Sequence, residues 1–207
     1  MDDRTPRDAV VAERTELAAM LADLTPEQWA APSLCLGWRV REVVAHMTMP
    51  FRMSAASFAM GMVRARGNFH RMADRQARRD TDRLSDEELL ASLRDNAEHP
   101  WRPPGGGIVG ALSHDVIHGL DISVGLGLDR RPPASRVRIV LDSMTGKNIR
   151  YFGTDLSGVR LEADDLDWSL GQGTPLRGSA ADLLLVVCGR RIPAALLTGT
   201  AAARFSG

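Results

Sequence analysis

Residues 110–121 have the sequence Gly-Ala-Leu-Ser-His-Asp-Val-Ile-His-Gly-Leu-Asp and are the most informative segment of the chain. Aliphatic residues recur in this segment at helical spacing, and a helix brings residues four apart to one face. His114 and His118 therefore point the same way, with Asp121 one turn further on. Two imidazoles so placed are half of the ligand set of a divalent metal site.

Basic side chains are missing from this segment. Lys147 is the single lysine of the chain, and no arginine falls between Arg102 and Arg130, so no cation on the segment competes with a bound metal ion. A simpler interpretation is also open, in which the histidines and aspartates form the solvated face of an ordinary amphipathic helix. The opposite face of that helix would carry the aliphatic residues Val109, Leu112, Val116 and Leu120.

A third imidazole lies on another predicted helix. The apolar stripe of that helix consists of Val40, Val43, Val44 and Met47. His46 lies at the edge of the stripe, and Glu42 precedes it by one turn. Three protein ligands with an open position make a catalytic zinc site, so His46 is a candidate third ligand, although a lone histidine beside an apolar stripe is more often a hydrogen-bonded core residue. The other histidines, His70 and His99, lie in an arginine-rich run and a connector, and we expect both to be solvated.

Composition limits the remaining classes of function. The chain has 207 residues and a formal net charge of zero, which gives no electrostatic argument for binding nucleic acid or an anionic membrane. Cys35 and Cys188 lie far apart and form no metal or redox motif, so a reduced setting is expected. The start, Met1-Asp2-Asp3-Arg4, lacks the features of a signal peptide, and no apolar run approaches the length of a membrane span. We therefore expect a cytoplasmic protein with no nucleic-acid or membrane partner.

Helix start signals and apolar periodicity predict a mainly α fold. The predicted helices span residues 5–24, 38–62 with an interruption at Pro50, 69–81, 85–97, 108–124, 133–145 and 179–188, with a short turn after Thr25. Prolines and glycines make residues 99–107 a connector. After Gly153, alternating apolar residues predict a hairpin over residues 159–170, and residues 196–199 predict an edge strand. The chain thus divides into a helical bundle, residues 1–152, and a small α+β domain, residues 153–207.

Residues 35–47, Cys-Leu-Gly-Trp-Arg-Val-Arg-Glu-Val-Val-Ala-His-Met, resemble a signature of the actinobacterial maleylpyruvate isomerase-like, mycothiol-dependent proteins. These proteins belong to the DinB-like metalloprotein superfamily. The segment that carries His114 and His118 resembles the second ligand helix of the family, and the likeness covers most of residues 8–145. Residues 175–199 are similar to the small C-terminal domain that many members carry. The resemblance implies a four-helix bundle in which His46, His114 and His118 bind a divalent metal, with zinc expected and nickel as the alternative.

The same resemblance implies a type of chemistry. Family enzymes use the metal to activate a low-molecular-weight thiol, here expected to be mycothiol, for transfer to, or isomerisation of, a small electrophilic substrate. Asp121 is the residue expected to orient an imidazole, and Glu42 is the weaker choice for that role or for carrying a proton. A solvated position is open for both acids, and the resemblance leaves a homodimer open.

One residue departs from the isomerase pattern. The isomerase branch has a glutamate at the position of His114, and an imidazole there leaves the metal one charge more positive and a stronger Lewis acid. Transfer of the specific isomerase activity is therefore not assumed. Two other functions stay open: a metal-dependent hydrolase with the same three ligands, and a non-catalytic bundle that binds a metal or a small molecule.

Overall fold

The computed structural model describes residues 5–207 and shows a mainly helical chain with a small sheet near its C-terminus. The expectation about a signal peptide at Met1–Arg4 falls outside these residues. The helices are α1 (Pro6–Ala22), α2 (Pro26–Ala30), α3 (Val40–Arg52), α4 (Ala55–Arg64), α5 (Phe69–Thr81), α6 (Asp86–Arg94), α7 (Gly107–Gly125), α8 (Ala134–Ser143), α9 (Gly146–Phe152) and α10 (Ala180–Val187). The strands are β1 (Val159–Ala163), β2 (Ser169–Gly171) and β3 (Thr174–Gly178). The predicted fold class is confirmed.

The predicted helix starts are confirmed by their caps. The side chains of Thr5, Thr25 and Ser85 each accept a backbone N–H three residues on, and the acid or amide at that position reaches back to the cap. Asn68 caps α5 in the same way through its side-chain oxygen. Because these pairs satisfy N–H groups that have no partner inside the helix, they fix where each helix begins.

The bundle is formed by α1, α3, α6 and α7. Each packs on the next in a closed cycle, α1 on α7, α7 on α3, α3 on α6 and α6 on α1. Gly119 lets α1 approach α7 closely, since a Cβ at this position would lie 2.7 Å from Cδ2 of Leu17. Two further helices pack outside the cycle, α5 against α3 and α8 against α7. The site described below lies between α3 and α7.

The helix that carries His46 continues past Pro50, the residue at which an interruption was predicted. Pro50 lies inside α3, and the chain leaves helical geometry only at Met53, three residues on. A new helix, α4, then begins at Ser54, whose side chain caps it. None of the ten described residues of α4 is buried, and the helix packs against α5. The prediction of one interrupted helix ending at Met62 is therefore corrected to two separate helices.

The C-terminal segment forms a three-stranded sheet with the order β2-β1-β3 among the described residues. The predicted hairpin is confirmed, because β1 and β2 pair antiparallel, with Leu161 opposite Leu170. The parallel pairing of β3 with β1 was not predicted, nor was α9. The predicted edge strand at residues 196–199 is wrong: its backbone makes only an isolated bridge between Arg177 and Thr198.

One hydrophobic core joins the sheet to the bundle. Helix α10 is buried along its whole length and packs against α7, α8 and the sheet. The same apolar cluster holds Leu112 and Val116 of α7 together with Leu161 and Leu176 of the sheet. The division at residue 152 stays a prediction. No helix within residues 5–207 combines the length and apolar character needed to cross a bilayer.

Candidate metal centre

The three predicted ligands meet. His46 comes from α3 and the two others from adjacent turns of α7, and the three ring centroids lie 4.9, 5.0 and 5.2 Å apart. Nε2 of His46 lies 3.4 Å from Nε2 of His114. One potential ligand atom from each of the three residues falls within 4.8 Å of the others. The rings therefore form a nearly equilateral triangle whose nitrogens converge.

His114 is held by a buried ion pair. Its Nδ1 lies 2.9 Å from Oδ1 of Asp115, whose other oxygen accepts a hydrogen bond of 2.7 Å from Nε of Arg14. Arg14 on α1 is fully buried and also donates to the carbonyls of Ala97 and His99. A carboxylate beside Nδ1 favours the proton on that nitrogen, which leaves a lone pair on Nε2.

His118 is held in the same way from the other end of the chain. Its Nδ1 lies 3.0 Å from Oδ2 of Asp121, which is fully buried. Arg190, just beyond α10, donates to both oxygens of Asp121 at 2.9 and 2.8 Å. Each histidine of α7 thus has an aspartate on its Nδ1, and each aspartate has an arginine behind it.

The electrostatic environment favours neutral imidazoles at His46 and His118 and a charged carboxylate at Asp121. Burial lowers the pKa of His46 well below its usual value, and the neighbouring rings of His118 and His114 add to the effect. Burial also lowers the pKa of His118, although its hydrogen bond to Asp121 opposes the shift. For Asp121, burial alone would raise the pKa, but the charge and hydrogen bonds of Arg190 and the hydrogen bond to His118 outweigh it and lower the pKa. Neutral imidazoles are the form that binds metal ions.

The donor set fits a zinc-like ion. Zinc holds histidine nitrogens at about 2.0–2.1 Å in a tetrahedral arrangement, which places neighbouring nitrogens about 3.3 Å apart. The 3.4 Å separation of the Nε2 atoms of His46 and His114 agrees with that spacing. Two nitrogen lone pairs facing each other at this distance repel unless a cation or a proton lies between them. Nδ1 of His46 is buried without a hydrogen-bond partner in the described structure, which leaves its Nε2 as the nitrogen that faces the other rings.

An aromatic rim surrounds the cluster. The ring of Trp38 lies 5.2 Å from His46, that of Phe69 lies 6.4 Å from His46, and that of Trp101 lies 5.2 Å from His114. The side chains of His114 and His118 are 15% and 14% exposed to solvent, so the cluster is accessible from outside the protein. Aromatic rings therefore contact two of the three imidazoles.

Cys35 adjoins the cluster on the side of Asp121. Its Sγ lies 3.0 Å from Oδ2 of Asp121 and 3.7 Å from Nδ1 of His118. The loop that carries it passes directly over Gly125, where a Cβ would lie 3.0 Å from Cα of Ser33. Burial, followed by the charge of Asp121, raises the pKa of the Cys35 thiol, which keeps it protonated. This agrees with the prediction that Cys35 is not a nucleophile, and burial of Cys188 agrees with its predicted core position.

The two predicted acids lie in different environments. Asp121 lies against an imidazole, as predicted, and its burial rules out the solvated alternative. Glu42 is also buried, but its carboxylate accepts hydrogen bonds from the backbone N–H and guanidinium of Arg39 and from the hydroxyl of Thr81. Among the described residues its oxygens have no hydrogen bond to His46. The structure therefore gives Glu42 the role of a helix cap.

The two histidines outside the cluster, His70 and His99, lie in different environments. His70 is exposed and stacks on Tyr151, whereas His99 is half-buried against Phe51 and accepts a hydrogen bond from the backbone of Trp101. The expectation that His99 is solvated was wrong.

The interpretation of α7 as an amphipathic helix with one solvated face is also contradicted, because Asp115, which would lie on that face, is buried.

Sequence reasoning missed Arg14, Asp115 and Arg190. Asp115 stands beside a predicted ligand, and the sequence offered it only a possible place on a solvated face. The two arginines lie 101 and 69 residues from the aspartates that they contact, and no local pattern carries that information.

The fold and the site together define a class of protein: a helical bundle with three convergent histidines, joined to a small C-terminal sheet. Residues 10–100 match the family model described as the mycothiol maleylpyruvate isomerase N-terminal domain. This match, which includes His46, confirms the resemblance to the maleylpyruvate isomerase-like family that the sequence motif predicted.

Two solved structures share the fold. They are the mycothiol-dependent maleylpyruvate isomerase and a mutant of it, with TM-scores of 0.53 and 0.54. Each is 13% identical in sequence, and each alignment covers 95% of this chain and 92% of the other. At this identity the likeness establishes the fold alone. No curated protein matches the chain.

Proposed function

We propose that the protein is a metal-dependent enzyme that activates a low-molecular-weight thiol, mycothiol being the expected one, for transfer to or isomerisation of a small electrophilic substrate. The observation that carries the proposal is the convergence of His46, His114 and His118, two of them backed by buried aspartates. The names of the matching family and of the structural neighbours support the choice of thiol.

The chain's own residues would divide the work. The three histidines hold a divalent ion, while Asp115 and Asp121 keep a proton on Nδ1 of two of them and so direct Nε2 to the ion. A bound ion of this kind lowers the pKa of a coordinated thiol, so that the sulfur is a thiolate at neutral pH. The aromatic rim limits the access of water to the reacting sulfur.

The proposed reaction needs only a nucleophilic sulfur and an activated carbon. For transfer, the sulfur forms a bond to one carbon of an activated alkene, or to a carbon of an epoxide, and a proton from solvent neutralises the carbon or oxygen that receives the electron pair. For isomerisation, the sulfur adds to the alkene, the single bond rotates and the sulfur leaves, so the thiol is regenerated. The proposal names a class of substrate, activated alkenes and epoxides, and no particular compound. The reason is that His114 stands where the isomerase branch is expected to have a glutamate, so the specific isomerase substrate is not assumed.

Metal analysis of the purified, tag-free protein tests the centre. We expect close to one equivalent of zinc or nickel per chain after mild dialysis, since sites of this kind hold the ion tightly. The variant His118→Ala should lose the metal, and the matched control His70→Ala, which removes an exposed imidazole outside the cluster, should keep it. Less than about a tenth of an equivalent in the unaltered protein would refute the site.

Turnover tests the thiol. The metal-loaded protein should consume an activated alkene or epoxide only when mycothiol is present, and the His118→Ala variant should not. Turnover that continues without any thiol would establish the hydrolase instead. A full equivalent of metal with no turnover across a broad panel of electrophiles would leave a binding protein and overturn the enzymatic part of the proposal.

A further inference from the structure

We propose a second ligand site, separate from the histidines, in a cleft between α3, α4 and α5: a site for a small organic anion with an apolar body. The cleft has a volume of about 510 Å³, within the range of small-molecule sites. Four arginines and one aspartate line it, which leaves an excess of three positive charges in a chain whose net charge is zero. No histidine lines it.

The aspartate does not neutralise the cleft, because both of its oxygens are already engaged. Oδ2 of Asp80 pairs with Arg52 at 2.8 Å, and Oδ1 accepts a hydrogen bond of 2.8 Å from Gln76. Arg52 is fixed further by donating to the carbonyl of Ala45 and the hydroxyl of Thr48. Asp80 and Arg52 therefore form one rigid, internally balanced wall.

The other three arginines have no partner of their own. Within residues 5–207, the guanidinium groups of Arg64, Arg79 and Arg83 make no hydrogen bond or ion pair. They come from two helices, Arg64 from the end of α4 and the other two from α5 and the turn after it. A guanidinium group binds a carboxylate or phosphate through paired N–H donors, so three such groups lining one cleft offer a binding site for either anion.

The methionines that line the cleft are the reason for expecting an apolar portion in the ligand. Met49, Met53 and Met60 all line the cleft, and Met60 is 50% exposed. Methionine side chains are flexible and polarizable, and they adapt to apolar ligands of varied shape. Exposed apolar surface beside unpaired arginines suits a molecule with a hydrocarbon portion and one anionic group. Such a ligand would cover the exposed side chain of Met60 and supply the missing counter-charge together.

Octanoate and octyl phosphate serve as probes, because they share the proposed chemistry and differ in the anionic group. Octyl glucoside is the neutral control. Spectra of protein labelled with ¹³C at the methionine methyl groups should show shifts at Met49, Met53 and Met60 with either anion, assigned through single Met→Leu variants. The probe with the higher affinity carries the preferred anionic group. Calorimetry with the same ligands gives the affinities, and a zinc chelator should leave them unchanged, since the histidines are not involved.

Charge variants locate the site. Arg79→Gln combined with Arg83→Gln should weaken binding of the preferred anion at least about tenfold. The control Arg71→Gln removes an exposed arginine from the same helix, outside the cleft, and should change affinity by less than about twofold because a distant charge is screened. Equal loss in both variants, binding of octyl glucoside as tight as that of the anions, sensitivity to the chelator, or unshifted methionines up to millimolar ligand would each overturn the proposal.

Discussion

Arg190→Met removes the counter-charge that the C-terminal segment supplies to the metal centre. In the native protein the guanidinium donates two hydrogen bonds, of 2.9 and 2.8 Å, to the carboxylate of Asp121, which is fully buried. Methionine preserves most of the apolar length of the side chain but leaves that carboxylate with only His118 and Cys35 as partners. The pKa of Asp121 rises as a result, because Arg190 contributes more than His118 to lowering it.

The magnitude follows from burial. Removing one partner of a buried ion pair costs about 3–5 kcal/mol. The lower end applies here, because the Arg190 side chain retains 16% of its exposure. For a chain of this length about 3 kcal/mol lowers the melting temperature by roughly 6–12 °C. Metal affinity should fall by roughly 10–100-fold, since His118 loses the fixed orientation that Asp121 gives it.

Urea denaturation of the metal-stripped protein measures the stability term without a contribution from metal binding. Competition with a chelator measures the affinity term. The neighbouring variant Arg191→Met is the matched control, because Arg191 is exposed and donates only to the carbonyl of Ser206. It should change stability by no more than about 0.5 kcal/mol.

A double variant decides whether the unpaired charge is the cause. Adding Asp121→Asn to Arg190→Met should recover part of the lost stability, because the asparagine is neutral and no longer needs a counter-charge. Two results would refute the reasoning. One is an Arg190→Met variant as stable as Arg191→Met, and the other is a double variant whose loss equals the sum of the two single losses.

Two further predictions concern carboxylates that pair elsewhere, the buried Asp115 and the exposed Glu16. Asp115→Asn should weaken zinc binding roughly 10–100-fold in chelator competition, because Nδ1 of His114 loses its carboxylate partner, and an unchanged affinity would contradict the tautomer argument. The pKa of Glu16 is lowered, chiefly by its hydrogen bond to Arg136, so its stabilising effect is present above the unfolded pKa of about 4.3 and is lost as the pH falls. The stability difference between the native protein and Glu16→Gln should therefore shrink in urea titrations between pH 6 and pH 3, and a difference that grows over this range would show that the sign is wrong.

Local chemistry made much of the fold predictable. Thr5, Asn68 and Ser85 start helices because their side chains satisfy backbone N–H groups a few residues away, and this information lies within one helical turn. The hairpin was predictable for a similar reason, since its alternation is a property of neighbouring residues. The parallel strand β3 was missed because Pro175 and Gly178 interrupt any strand pattern. Its partner is β1, and β2 lies between the two in sequence, so neighbouring residues do not indicate the pairing.

The grouping of His46, His114 and His118 was predictable because they belong to segments with strong local patterns. Their supports were not, because Arg14 and Arg190 reach α7 only after the bundle and the C-terminal segment have assembled. A solvated aspartate and an aspartate with a buried arginine behind it look the same in sequence. For that reason a solvated position for Asp115 stayed open in the sequence, and the structure excludes it because the side chain is buried.

The two supports share one design and come from opposite ends of the chain. Arg14, on the first helix, fixes Asp115 and through it His114, whereas Arg190, near the C-terminus, fixes Asp121 and through it His118. His46 has no such support, and its Nδ1 is buried without a partner in the part of the chain that is described. Two ligands are therefore held rigidly, and the third can adjust to the ion.

This arrangement makes the C-terminal segment part of the metal centre. A bundle ending at residue 152 would keep all three histidines and Arg14 but would lose Arg190. Asp121 would then be a buried carboxylate without its arginine, and the faces of α7 and α8 that pack on α10 would be exposed. Both effects act against folding, one through an unpaired buried charge and the other through lost apolar burial. The bundle and the small sheet therefore depend on each other at the site, even though the sequence pattern changes sharply between them.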